Sequence, residues 1–294
     1  MSEKKAFNVG PSGVDIAYES FGDPSAPPVL LIMGVGGQMI GWLEGFCAEL
    51  AEHGLWVTRF DNRDVGLSTH VSDAPVPDLP AALAGDTSTA TYTLSDMAAD
   101  AVGLLDVLGV DRAHLVGASM GGMIAQTVAI EFPQRVRSLT SMMSTTGDRC
   151  VGQMSPQGLN TMRGPAPTNR DEVIEQRVRA MRVAGSPGYE IDEAQVRERA
   201  GLAYDRSHDP LGIARQAIAV VASGDRTPRL KALDVPTLVL HGADDRMCDV
   251  SGGQATAAAI PDAELVIIDG WGHNIPQGLW PELTSRIAAH VHRN

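Results

Sequence analysis

The sequence predicts an α/β fold: a mostly parallel sheet of about eight strands flanked by helices on both faces, with an inserted helical cap. Three observations carry this. Short apolar, β-branched runs recur at 29–33, 55–60, 113–117, 137–143, 236–241 and 264–268. Longer segments of helical period lie between them. The chain's 294 residues, 44% of them hydrophobic, are enough for one large core.

Taken in order, the stretches around Phe7 to Val9 and Asp15 to Tyr18 predict an antiparallel edge hairpin, a common neighbour of parallel sheets. Val29 to Met33 is a buried strand by its unbroken apolar run, and 55–60 is the next. Residues 72–91 are rich in Pro, Ala, Ser and Thr with little periodicity, which reads as a functional loop. Leu94, Met97, Ala98, Ala101, Leu105 and Leu108 form one stripe of a helix over 94–108, capped by Thr93 or Ser95 and ended by Gly109. A helix over 119–131 stops at Phe132-Pro133, and a closing helix covers 279–290. Between strands 137–143 and 236–241, amphipathic segments at 170–184, 192–204 and 209–223 predict a cap over 148–229, inserted into a core of 1–147 and 230–294; the alternative is a plain crossover connection.

Composition excludes several classes. The net charge of -13, from 23 basic and 36 acidic residues, is spread without a Lys/Arg cluster, so nucleic acid is not the expected partner. Met1-Ser2-Glu3-Lys4-Lys5 leads into a Gly/Pro stretch and not a signal-peptide core, and no apolar run is long enough to span a bilayer. Cys47, Cys150 and Cys248 form no metal-ligand or CxxC pattern, which fits a reduced, cytoplasmic protein.

The chemistry concentrates at three separated places. In Leu115-Val116-Gly117-Ala118-Ser119-Met120-Gly121-Gly122 a strand runs into a small-residue turn and then a helix, the setting of an exposed nucleophilic serine. The alternative is an ordinary N-cap serine. A hydroxyl becomes nucleophilic only when a base takes its proton and a third group orients that base. His241-Gly242-Ala243-Asp244-Asp245-Arg246 follows a strand and offers two competing carboxylates; Asp245, the third residue after Gly242, is preferred, and Asp249 reads as a helix cap. Asp269-Gly270-Trp271-Gly272-His273-Asn274 follows the last strand and supplies His273 as the base. Of the other histidines, His53, His70, His290 and His292 read as surface or core residues, and His114 and His241 as structural. Serine, acid and histidine occur in the chain order of a nucleophile-elbow triad. The amides of Met120 and of Val35, in Met33-Gly34-Val35-Gly36-Gly37, are the expected oxyanion donors. Phosphate-binding glycine patterns, HExxH and EF-hand motifs are missing, so neither cofactor nor metal is expected.

With these residues the chain resembles the α/β-hydrolase family along nearly its whole length, and within it actinobacterial lipase-like carboxylesterases related to aclacinomycin methylesterase. The matching blocks are Leu31-Ile32-Met33-Gly34, Phe60 to Ser68, the serine turn with Gly121-Gly122, Gly242 to Asp245, and Gly270-Trp271-Gly272-His273. The resemblance implies Ser119, Asp245 and His273 as the triad and Val35 with Met120 as oxyanion donors. Two departures stand out: Met33-Gly34 where much of the family has His-Gly, and Met247-Cys248 after the acid. Arg63 and Asp64 are expected to brace loops by ion pairing. Gly34, Met39, Met142, Met143 and Trp271 are expected at the substrate pocket. With Met120, Met123, Met154 and Met162 also close by, an apolar, adaptable pocket for small to medium acyl or aryl esters is one reading, and plain core methionines the other. The expected function is serine carboxylic-ester hydrolysis of a small molecule. Alternatives are cofactor-free perhydrolase or haloperoxidase chemistry, or a non-catalytic ligand-binding member of the fold.

Overall fold

The structure, a computed structural model, describes residues 3–161 and 167–294. Its strands are β1 (Lys4–Val9), β2 (Val14–Phe21), β3 (Pro28–Ile32), β4 (Trp56–Phe60), β5 (Ala113–Ala118), β6 (Val136–Met142), β7 (Thr237–Gly242) and β8 (Glu264–Ile268). They form one eight-stranded sheet in the order β1-β2-β4-β3-β5-β6-β7-β8. The β1–β2 hairpin and the β2–β4 pairing are antiparallel, and every pairing from β4 to β8 is parallel. The mostly parallel sheet with an antiparallel edge is therefore the one the sequence predicts. The helices are α1 (Glu44–Glu52), α2 (Leu79–Leu83), α3 (Leu94–Val107), α4 (Met120–Glu131), α5 (Pro156–Thr161), α6 (Arg170–Ala184), α7 (Glu193–Arg206), α8 (Pro210–Ser223), α9 (Thr227–Leu230), α10 (Ser251–Ala259) and α11 (Trp280–Arg293).

Strand side chains alternate between two apolar layers, as the two-residue period requires. Leu30, Ile32 and Leu115 pack with α3 and α4, through Met97, Ala101, Leu105, Ile124 and Val128. Val29, Leu31 and Val116 pack on the other face with Phe46, Leu50, Leu283 and Ile287 of α1 and α11. Each large aliphatic buried this way contributes about 1.5–3 kcal/mol relative to an exposed one, so the central strands hold the sheet from both sides. The α3 start is fixed by a capping box in which Asp96 Oδ2 accepts from the Thr93 amide at 2.8 Å, which selects Thr93 as the cap.

Several boundaries differ from the sequence reading. Ser119 is not part of α4, which starts at Met120. The 72–91 segment contains α2, whose start Asp78 caps by accepting from the Ala81 amide at 2.9 Å. The sequence expectations also lack helices α1, α5 and α9, of which α5 and α9, with 6 and 4 residues, are too short to show a period. Between β6 and β7, α6 packs against α7, and α8 packs against α2 and α3.

His114 of β5 is 2% exposed, and burial pushes its pKa from 6.5 down to about 4. The unfolded chain therefore takes up a proton here before the folded chain does. The resulting stability is complete above the unfolded pKa and is lost as pH falls toward the folded one. Urea unfolding should show native stability dropping by about 2 kcal/mol more than that of His114→Gln between about pH 7 and about pH 4.5. Equal losses in the two proteins would contradict this.

Candidate active site

Ser119 sits immediately after β5 with φ 57° and ψ -123°. A side-chain-bearing residue held there costs about 1–3 kcal/mol. Its neighbours hold it: the Ser119 amide donates to the Met142 carbonyl at 2.9 Å, and its own carbonyl accepts from Ser144 Oγ at 2.8 Å. The turn closes only around glycine. A Cβ on Gly117 would lie 2.1 Å from the Gly121 carbonyl oxygen, and one on Gly121 would lie 2.0 Å from that of Ile32. The helix-cap alternative fails on contacts, because Ser119 makes no side-chain cap bond to α4. Its Oγ lies instead 3.1 Å from His273 Nε2.

Parallel strands deliver their following loops to one edge of the sheet. After β7, Asp245 is buried, and its Oδ1 accepts from the Met247 and Cys248 amides at 2.8 and 2.9 Å. Both donors are backbone, so the family departure at Met247-Cys248 leaves the acid turn intact. The other oxygen, Oδ2, faces His273 Nδ1 at 2.7 Å. A carboxylate can only accept, so Nδ1 carries the proton and Nε2 is the free acceptor facing Ser119. Asp244, the rival acid, accepts from the Gly270 amide at 2.9 Å and ties the two loops together. His241 packs beneath with Nε2 2.8 Å from the Cys248 carbonyl, and burial lowers its pKa. Asp249 accepts from the Ser251 amide at 2.9 Å, at the start of α10.

The histidine loop is fixed from the end of α6 and the segment after it. The His273 amide donates to the Ala184 carbonyl at 2.7 Å, Gly272 donates to Ser186 Oγ at 3.0 Å, and Gly188 donates to the Gly270 carbonyl at 2.9 Å.

Gly34 lies against the serine, since a Cβ there would come within 2.9 Å of Ser119 Cβ. Among the described residues the amides of Val35 and Met120 have no hydrogen-bond partner. The loop that carries Val35 is tied to the helices above it. Gly36 donates to Gln216 Oε1 at 2.8 Å, and Gln216 Nε2 donates to the Arg63 carbonyl at 2.7 Å. Gln38 Nε2 donates to the carbonyls of Ala203 and Ser207 at 2.7 and 3.1 Å. Asp61 accepts from the Met39 amide at 2.6 Å and from Arg206 at 2.8 Å. The Asp61 to Ser68 block is thus a brace, as Arg63 and Asp64 were expected to be: Arg63 pairs with Asp100, and Asp64 with Arg215 through both oxygens.

Asp64, His70 and Asp209 bring metal-ligating atoms within 4.8 Å of one another. Arg215 already occupies this cluster, bonding Asp64 and also Asp209 at 3.2 Å, while Tyr92 donates to Asp64 at 2.6 Å. Burial opposes protonation of His70, but the Gly66 carbonyl and the Asp209 carboxylate outweigh it and raise the pKa. Arg215 therefore pairs with both acids, and His70 bonds Asp209 from the other side.

The expected pocket residues need correction. Met39, Met142 and Trp271 are completely buried and Met143 is 3% exposed, so they are core side chains and not pocket walls. The sequence placed them near the cleft correctly in the chain, but their side chains turn inward. The Met39 amide is held by Asp61, and the Trp271 indole donates to the Asn274 carbonyl at 2.6 Å. Met123 and Met154 are half-buried, and Met162 lies outside the described residues. A cavity opens instead at Gly36 and is walled by Val173, Ala200, Tyr204 and Ile213 of the α6–α8 helices. Sequence reading also missed Ser186, Arg206, Arg215 and Gln216. The signal for the last two was present: Arg215-Gln216 interrupts the otherwise apolar Ile213 to Val221 helix, where two buried polar side chains must find partners.

The Asp64–Arg215 pair is nearly solvent-free, at 0% and 4% side-chain exposure. Arg215→Met should lower the unfolding free energy by about 3–5 kcal/mol by leaving a buried carboxylate uncompensated. Adding Asp64→Asn should restore part of this in urea titrations, and a single variant as stable as the native protein would contradict the assignment.

Comparison with known proteins identifies the fold and the family. A family model described as alpha/beta hydrolase fold matches residues 27–276. The chain is 28% identical over 301 residues to rhodomycin D methylesterase of Streptomyces peucetius, covering 95% of each. It is 30% identical over 263 residues to a putative carbamate hydrolase of Variovorax paradoxus, covering 87% of this chain and 88% of that one. Among solved structures, an esterase from Rhodococcus sp. ECU1013 superposes with a TM-score of 0.76 at 22% identity, covering 99% of both chains. Fold, chain order and family match converge: the chain belongs to the α/β-hydrolase family of enzymes.

Proposed function

We propose that the protein is a serine carboxylic-ester hydrolase acting on small to medium apolar or aryl esters. Ser119 Oγ attacks the ester carbonyl while His273 Nε2 takes its proton; Asp245 holds the ring and stabilises the imidazolium that forms. The amides of Val35 and Met120 stabilise the oxyanion. His273 returns the proton to the leaving alcohol, and water, activated by the same histidine, then releases the acid from the acyl-enzyme.

One observation carries the reading: Oγ, Nε2, Nδ1 and Oδ2 form a continuous relay at 3.1 and 2.7 Å, with the acid fully buried and the serine accessible. The partnerless Val35 and Met120 amides support the oxyanion assignment. Gln216, fully buried and bonded to Gly36, supports it further by fixing the peptide next to Val35. The named activities of the similar proteins, methylester and carbamate hydrolysis, favour acyl transfer over other chemistry of this fold. The helices within 148–229 act, in this reading, as a cap that shapes the substrate cavity, and Val173, Ala200 and Ile213 favour apolar groups there. No helix among the described residues is long and apolar enough to cross a membrane.

Hydrolysis of p-nitrophenyl esters of graded chain length should be lost in Ser119→Ala, with kcat reduced by about three orders of magnitude or more. Turnover equal to the native protein's would overturn the mechanism.

A further inference from the structure

Ser119 is not alone in its strained backbone: Met143, which follows β6 beside it in the sheet, has φ 42°. That conformation is locally unfavourable for a methionine, and the Met143 amide is held in it by donating to the Leu240 carbonyl at 3.0 Å. The next residue, Ser144, is 2% exposed, and its Oγ donates to the Ser119 carbonyl at 2.8 Å. Gly122 of α4 leaves the room for this contact. A Cβ there would lie 2.6 Å from Ser144 Cβ and 2.7 Å from its Oγ.

The Ser119 carbonyl and the Met120 amide belong to one peptide group. Because that group is planar and trans, its C=O and N–H point in opposite directions as a rigid unit, so a bond that fixes the oxygen also fixes the direction of the amide. Donation to the oxygen polarises the peptide and makes its N–H a stronger donor. The same oxygen accepts from the Gly122 and Met123 amides at 2.9 and 3.3 Å, which belong to the first turn of α4. The Ser144 hydroxyl adds a donor from outside the helix, on the segment that leaves the neighbouring strand. The Val35 amide is set differently. Its peptide carbonyl, that of Gly34, accepts among the described residues from the Gly37 amide at 3.0 Å, and Gln216 bonds one peptide further on, at Gly36.

We propose that Ser144 is a positioning residue for ester hydrolysis: through the Ser119 carbonyl it aims and strengthens the Met120 amide toward the oxyanion, an assignment that rests on the ester-hydrolase reading above. Ser144 is buried against α4 and acts through that peptide, not on the substrate itself. The contacts among Ser119, His273 and Asp245 are made by other atoms and remain when the hydroxyl is removed. Its effect therefore falls on the transition state, where the oxyanion charge develops, and not on the bound ester.

Hydrolysis of p-nitrophenyl butyrate by Ser144→Ala and by the native chain tests this. In the variant kcat should fall about tenfold, the size expected for one lost hydrogen bond, while KM stays within about twofold. An alkyl trifluoromethyl ketone reports the same interaction: Ser119 Oγ adds to its carbonyl, the serine proton passes to His273, and the product is a hemiketal oxyanion. Its Ki should rise by the factor that kcat loses. Ser144→Cys, close in shape but a weaker donor, should fall between the two chains and serves if the alanine variant does not fold. Ser141→Ala is the control, since it removes a neighbouring buried hydroxyl that meets Gln126 at 3.4 Å, and it should keep native kcat and Ki. Circular dichroism checks that each variant is folded. Native kcat and Ki in the folded Ser144 variants would overturn the proposal, as would a loss confined to KM or an equal loss in Ser141→Ala. A native chain that hydrolyses no ester would overturn the hydrolase reading, and this role with it.

Discussion

The turn at Ser119 is the constraint from which the site is built. A serine at φ 57° is locally unfavourable, and the chain holds it there by packing backbone against backbone. Gly117 meets the carbonyl of Gly121, Gly121 meets that of Ile32, and the Met142 carbonyl takes the Ser119 amide. Those contacts require β3, β5 and β6 to be side by side and in register, which the pairing of Ile32 with Gly117 and of Ala118 with Met142 provides. Once they are in register, the loops after β7 and β8 reach the same edge. The strain is thus offset by the burial of the central sheet, and it leaves Oγ outside helix α4 and facing His273.

A second layer of order comes from polar groups that cross between the core and the α6–α8 helices. The His273 loop hangs on Ala184 and Ser186, the Gly36 loop on Gln216, and Asp61 on Arg206. Each is a buried or half-buried hydrogen bond whose loss leaves an unsatisfied partner. The His273 loop and the Gly36 loop are therefore positioned by the same helices that wall the cavity at Gly36. These few side chains join the helices between β6 and β7 to the loops around Ser119.

Much of this was legible in the sequence. The sheet could be read because its strands are buried on both faces and so appear as unbroken apolar runs such as Val29 to Met33. Ser119, Asp245 and His273 stood out because each follows such a run in a glycine-rich turn. What could not be read was orientation. Met39, Met142 and Trp271 lie beside the site in the chain but point into the core, and nothing in a one-dimensional pattern separates the two faces of a residue at the end of a strand. The long-range partners were hidden for a related reason: Gln216 and Gly36 are 180 residues apart, and their bond depends on how α8 docks. The helix interior Arg215-Gln216 was visible as an anomaly, but its partners were not.

The central claim is that Ser119 is a nucleophile activated by His273 and Asp245. Intact-mass spectrometry after exposure to a fluorophosphonate tests it most directly. The account predicts one covalent adduct per chain, mapped to Ser119, which is absent in Ser119→Ala and strongly slowed in His273→Ala. Labelling elsewhere, or a native chain that stays unlabelled while folded, would contradict it.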